Sequence, residues 1–181
     1  PDKLLKACDR ILQGTLERAI PAAKEKSSSS RLLFMGLHRG SDGFMSLKQF
    51  ETFYWPTLKK VIFAVVGAGL IPCVFFEGNW TARLEYLLEL PKGKTIGRFD
   101  LTDIFKAKEV LKGHLCIMGN VPSSLLQTGA LKDVRDYCKN LIDVVGKGGG
   151  FIMSAGSSID EAKPDNLKEM VDFTKEYGVY R

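Results

Sequence analysis

The stretch Cys73-Val74-Phe75-Phe76-Glu77-Gly78-Asn79-Trp80 decides the fold. Its first four residues form a short apolar run, the pattern of a strand buried on both faces. Glu77, Gly78 and Asn79 then stop the run abruptly. A helical spacing follows, with Leu84, Leu87 and Leu88 expected inward and Asn79 or Thr81 as the cap. The same succession appears at Leu33-Phe34-Met35-Gly36-Leu37-His38-Arg39, Thr95-Ile96-Gly97-Arg98-Phe99-Asp100, Cys116-Ile117-Met118-Gly119-Asn120 and Phe151-Ile152-Met153-Ser154-Ala155-Gly156-Ser157. Strand, polar tip and helix in repetition is the signature of a parallel β/α architecture. In such folds chemistry collects at the carboxyl ends of the strands. The tips therefore outline a candidate site before any motif is named.

Working outward, Leu4, Leu5, Cys8, Ile11 and Leu12 recur at helical spacing, and the pattern continues through Leu16 and Ala19 towards Pro21. Residues 24–30 are polar and read as a mobile surface loop before a strand at 32–37. Residues 38–45 form a glycine-rich loop at a strand's carboxyl end. Ser46 and Gln49 have the spacing of a capping box. The stripe Leu47, Phe50, Tyr54, Leu58, Val61, Ile62 and Val65 predicts a helix, with Pro56 kinking it or dividing it in two. Strands are expected at 71–76, 95–99, 114–118 and 150–154. The intervening helices carry Ile104, Ala107, Val110 and Leu111, then a short turn near 124–127, then Leu131, Val134, Cys138, Leu141, Ile142 and Val145. A last helix from Pro164 is expected to bury Leu167, Met170, Val171 and Tyr177. This is an α/β chain, a single domain over residues 1–181 with five parallel strands and flanking helices. A closed barrel needs eight strands. The expectation is a partial (β/α)8 TIM barrel, the carboxyl-terminal part of a longer one.

Composition bounds the function. The formal charge of +5 favours anionic ligands mildly, and the basic residues are dispersed over helices opposite apolar faces, which describes a solvated surface and not a nucleic-acid patch. The four cysteines form no CxxC pair; Cys8 and Cys138 fall on helical stripes and Cys73 and Cys116 inside strands, so reduced thiols in a cytoplasmic protein are expected. The apolar run 61–76 is short for a membrane span and is broken by Gly67, Gly69 and Pro72. No signal peptide is evident at the start. Gly146-Lys147-Gly148-Gly149-Gly150 precedes a strand instead of a helix, so it is a turn at the non-catalytic end and no phosphate loop.

The segments Phe75-Phe76-Glu77-Gly78-Asn79, Ile117-Met118-Gly119-Asn120-Val121-Pro122 and Gly149-Gly150-Phe151-Ile152-Met153-Ser154 resemble the uroporphyrinogen decarboxylase superfamily, and so does the ending Lys163-Pro164-Asp165-Asn166-Leu167-Lys168-Glu169-Met170. That superfamily comprises porphyrin-pathway decarboxylases and corrinoid-linked methyltransferases, all (β/α)8 barrels. The resemblance implies an enzyme of the methyltransferase branch, moving a methyl group to or from a corrinoid or thiol. It implies, as the alternative, a uroporphyrinogen decarboxylase, a lyase of porphyrin biosynthesis. A third reading is an inactive fragment or interaction module, with no turnover by these residues alone. The partners implied are an anionic small molecule or tetrapyrrole, a corrinoid protein and, from dimers among relatives, a homodimer. The cofactors implied are a corrinoid or a metal ion. In the decarboxylases a serine follows the strand matching 33–36, where this chain has Leu37; the next histidine is matched by His38. Their Gly-His-Gly turn is Gly156-Ser157-Ser158 here. The zinc positions of the methyltransferases fall on Phe75, Glu77 and Ser157, and a phenylalanine cannot ligate zinc.

Glu77 is the sharpest candidate. After two phenylalanines it is placed to be a general acid or base or a metal ligand, or else to pair with Arg83 or Arg98. His38 suits proton transfer and Arg39 carboxylate binding. Asp100, Asn120 and Ser157 are candidates for substrate contacts, with Asp100 and Asn120 alternatively capping helices or forming turns. Trp80 is either a wall for a flat ligand or a packing residue. His114 starts a strand and belongs to the opposite, structural face.

Overall fold

The computed structural model describes residues 1–27 and 30–179, so Ser28 and Ser29 of the polar loop lie outside it. Five strands form one sheet: β1 (Leu32–Leu37), β2 (Ile71–Phe76), β3 (Ile96–Phe99), β4 (Cys116–Val121) and β5 (Phe151–Ala155). They lie in sequence order and every neighbouring pair is parallel. Register pairs Phe75 with Arg98, Arg98 with Met118, and Met118 with Ile152. Val74, Phe76, Phe99, Ile117, Val121 and Ala155 face the helices and join one core with Phe50, Trp55, Trp80, Val134 and Cys138. Strand alternation sends Phe34, Cys73, Phe75, Arg98, Met118 and Ser154 to the other face. Helices on one face and an unreversed strand order distinguish a barrel segment from a doubly wound sheet.

The crossovers explain two prolines. α1 (Asp2–Gly14) passes through a π-helical turn at Thr15–Ala19 into α2 (Ile20–Glu25), which takes up Lys24 and Glu25 from the expected loop. α3 (Leu47–Gln49) passes through a second π turn at Phe50–Tyr54 into α4 (Trp55–Gly67). The amide of Ile20 reaches back to Thr15, and that of Trp55 to Phe50. These wider i→i−5 bonds come immediately before Pro21 and Pro56. They open the helix where a proline ring would strike the carbonyl four residues back. Pro56 therefore divides the helical path into two pieces, as the sequence suggested. The Ser46–Gln49 capping box is present.

β2 leads to a 3-10 helix at Thr81–Glu89, and β3 to α5 (Ile104–Leu111), capped by Asp103. β4 leads to α6 (Ser123–Thr128), α7 (Leu131–Asn140) and a π turn at Leu141–Val145; α8 (Pro164–Tyr177) follows β5. Four inward assignments are corrected. Leu88 is exposed because a 3-10 helix repeats every three residues, which stacks Leu84 on Leu87 and turns Leu88 aside. Leu131 is exposed at the first residue of α7. In α8 the buried stripe is Asn166, Met170 and Phe173, which leaves Val171 and Tyr177 outside. Asn166 sets that rotation: its amide donates to the carbonyls of Leu126 (3.0 Å) and Gly129 (3.1 Å) at the end of α6. β4 begins two residues later than expected because His114 is held in a turn, its ring bonded to the Leu90 carbonyl at 2.9 Å and its own carbonyl accepting from Gly93. The Gly146–Gly150 turn is at the amino end of β5, where Lys108 donates to the Gly149 carbonyl.

Among the described residues no helix is long and apolar enough to cross a membrane. The four cysteines are free; Cys138 is fully buried and burial pushes its thiol up to about 11. Because burial disfavours the thiolate, Cys138 should resist alkylation at pH 8 and react only on unfolding, whereas half-exposed Cys8 should be labelled first; peptide mapping after timed iodoacetamide treatment checks this. Phe76 stacks on Phe99 at 5.4 Å and meets Trp80 edge-on at 4.8 Å. Phe76→Ala should cost about 3–5 kcal/mol of unfolding free energy, measured by denaturant titration.

Candidate active site

The tips of β1, β2, β3 and β5 converge because the strands are parallel. His38 follows β1 and Glu77 follows β2, and adjacent pairing brings them together: His38 Nδ1 hydrogen-bonds Glu77 Oε2. Glu77 thus pairs with the histidine, and neither Arg83 nor Arg98 is its partner. The imidazole lies over Gly36, where an added Cβ would sit 3.5 Å from Nε2. The second ring nitrogen therefore borders the inner face of the sheet. Gly78 has φ +82°, a left-handed turn that bends the chain away immediately after Glu77.

Asp100 ends β3 close by. Burial raises its carboxyl above the usual range, hydrogen bonds from backbone amides of Leu101 and Gly78 oppose that, and the Glu77 charge adds to the rise. β5 approaches so closely that a Cβ on Gly156 would lie 3.1 Å from the Asp100 Cα. That glycine allows Ser157 into the mouth, where its hydroxyl meets Ser123 at 2.9 Å. Arg39 is exposed and stacks over the Phe44 ring, 4.9 Å to the centroid.

Two candidates are used structurally. The Asn120 amide donates to the Asp100 carbonyl (2.9 Å) and more weakly to Thr102, while its oxygen accepts from Tyr137 (3.0 Å). It ties the β3 tip to β4. Trp80 has no exposed surface and its indole N–H donates to the Glu77 carbonyl at 3.0 Å, so it takes the packing role and supports Glu77 from beneath. No set of three His, Cys, Asp or Glu side chains placed to hold a metal ion occurs among the described residues. The donors at the family's zinc positions do not fit that metal, and Glu77 is engaged by His38.

Residues 1–177 match the uroporphyrinogen decarboxylase (URO-D) family. The chain belongs to that family. Its fold is also that of a methyltransferase from Methanosarcina mazei, with a TM-score of 0.77 at 18% identity, over 98% of this chain and 50% of that one. The chain spans half the length of that structure. No curated protein matches it in sequence.

In this family member, two features of the mouth were not legible as functional beforehand. Arg83, only 2% exposed, donates to the carbonyls of Gly40 and Met45, lies 3.4 Å from Asp42 Oδ1 and covers the Phe50 ring at 4.5 Å. Asp42 in turn accepts from the Ala82 amide at 2.9 Å. Together they fasten the His38 loop to the helix after Glu77. Burial raises nearby Tyr54 to about 12, partly offset by the Arg83 charge. The other feature is Arg98, which sits on the inner face two residues before Asp100. Alternation gives the signal that would have found it: a lone arginine points to the inner face of an otherwise apolar strand, two residues before a tip carboxylate.

Removing one partner of a buried ion pair strands the other charge. Arg83→Met should therefore lower stability by about 3–5 kcal/mol, and limited proteolysis should cut first within residues 38–45.

Proposed function

We propose that the enzyme containing this chain transfers a methyl group to a thiol, with His38 as the base and Glu77 orienting it. The His38–Glu77 hydrogen bond is the observation that carries this reading. With Nδ1–H donating to the carboxylate, Nε2 holds the lone pair and borders the inner face. It takes the S–H proton of the accepting thiol, and Glu77 compensates the imidazolium charge that results. The thiolate sulfur then bonds to the methyl carbon as the donor's bond to that carbon breaks. A methyl-corrinoid, when bound, would supply that electrophilic methyl group, and a corrinoid protein is the partner that would deliver it. Glu77 stands at one of the positions where related methyltransferases are expected to hold zinc, and its pairing with His38 replaces thiol activation by a metal with activation by a base.

The methyltransferase likeness agrees with this branch. Uroporphyrinogen decarboxylation is the second reading, favoured by Asp100: burial raises its carboxyl above the usual range, the direction that suits proton donation, and the arginines suit an acidic tetrapyrrole.

The intact protein is assayed for methyl transfer from methylcobalamin to 2-mercaptoethanol, and separately for coproporphyrinogen formation. His38→Asn should lower the methyl-transfer rate by about 10²–10⁴-fold, the range for a general base. Glu77→Gln should lower it less, since the base survives without its orienting charge. Wild-type rates in His38→Asn would sink the proposed role. Coproporphyrinogen formed in place of methylated thiol would transfer the assignment to the second reading.

A further inference from the structure

We infer that Arg98 is the binding residue for an anionic group of the substrate, seated on the inner face beneath the His38–Glu77 pair. This rests on the carboxyl mouth being the active site, and it names what the mouth binds.

Arg98 is a charge without a counter-charge among the described residues. Arg98 pairs across the sheet with Phe75 and Met118, and its guanidinium covers the Phe75 ring at 4.7 Å. Nη2 donates to the carbonyls of Ala155 (3.3 Å) and Ser157 (2.9 Å), reaching past β4 to the end of β5. Nε is enclosed and has no acceptor. No carboxylate pairs with Arg98 among the described residues, although two stand at the tips above it: Glu77 bonds His38, and Asp100 accepts from the backbone. A half-enclosed guanidinium with carbonyls along one edge and an aromatic ring below is fixed in direction, and its charge is left without a carboxylate on the inner face. Leaving such a cation unpaired is costly, and an anion that presents two oxygens is its matched partner.

The placement also limits the ligand. Arg98 precedes Asp100 by two residues, one pleat repeat of about 6.6 Å along the strand. An anion held there lies at a short distance from the reacting groups at the tips. The fitting substrate is compact, with its carboxylate, sulfonate or phosphate a few bonds from the reacting atom.

The test compares two thiols of similar size, 3-mercaptopropionate and 2-mercaptoethanol, which differ in charge. Binding to the intact protein is measured by calorimetry, independently of turnover. Wild type should bind the carboxylate thiol at least tenfold more tightly. Arg98→Gln keeps a donor for the two carbonyls and should lose that preference, a fall of about 10–100-fold, the worth of a hydrogen bond to a charged group. Arg98→Lys should retain part of it. Affinity for 2-mercaptoethanol and the thermal midpoint report whether each variant is folded. Equal wild-type affinity for the two thiols overturns the inference whatever the variants do, and so does an undiminished preference in Arg98→Gln. Charge preference without methyl transfer to either thiol keeps Arg98 as the anion site and removes the methyl-transfer reading instead.

Discussion

Backbone hydrogen bonding between five strands that all run the same way leaves their carboxyl ends only one end of the sheet to occupy. Everything said of the site depends on that constraint. His38 and Glu77 are 39 residues apart in the chain, yet they follow adjacent strands paired without slip, Leu37 opposite Phe76. One residue of slip would turn Phe76 out of the core and every inward side chain with it. The aromatic packing of Phe76 against Phe99 and Trp80 therefore fixes the register, and the register brings acid and base together.

The carboxyl end of the sheet combines apolar walls with a few polar groups, and burial decides how each behaves. Asp100 is pushed towards its neutral form, Arg83 is sustained by Asp42 against its desolvation, and Asn120 donates to the backbone around it and accepts from the Tyr137 hydroxyl. These are different answers to one cost, that of taking a polar group out of water. Arg98 answers it incompletely, and that incompleteness distinguishes it from Arg83. Glycines allow the crowding: Gly36 leaves room beside the imidazole and Gly156 lets β5 approach Asp100.

Much of the fold was legible because strands and helices announce themselves locally. The apolar runs before Glu77 and Arg39, the Ser46–Gln49 spacing and the helix stop at Gly67 required no distant partner. Orientation about an axis was less legible. Leu88 fails because a 3-10 helix and an α-helix share a first turn and then diverge, and Val171 fails because Asn166, bonded to the carbonyls at the end of α6, rotates α8. The site was legible as a set of tips and not as a set of bonds. His38, Glu77, Asp100 and Ser157 reach the mouth, while Arg39 turns to the Phe44 ring, Trp80 lies in the core and the Asn120 amide belongs to the backbone.

Sequence alone determined the order of strands and helices, the family, and which residues end each strand, since periodicity and polar stops are properties of neighbours in the chain. Tertiary structure alone decided that Glu77 bonds a histidine and not an arginine, that Arg83 latches the His38 loop, and that Arg98 stands without a counter-charge among the described residues. Partner choice among charges depends on distance and desolvation, and both are set only when the sheet has closed its register around them.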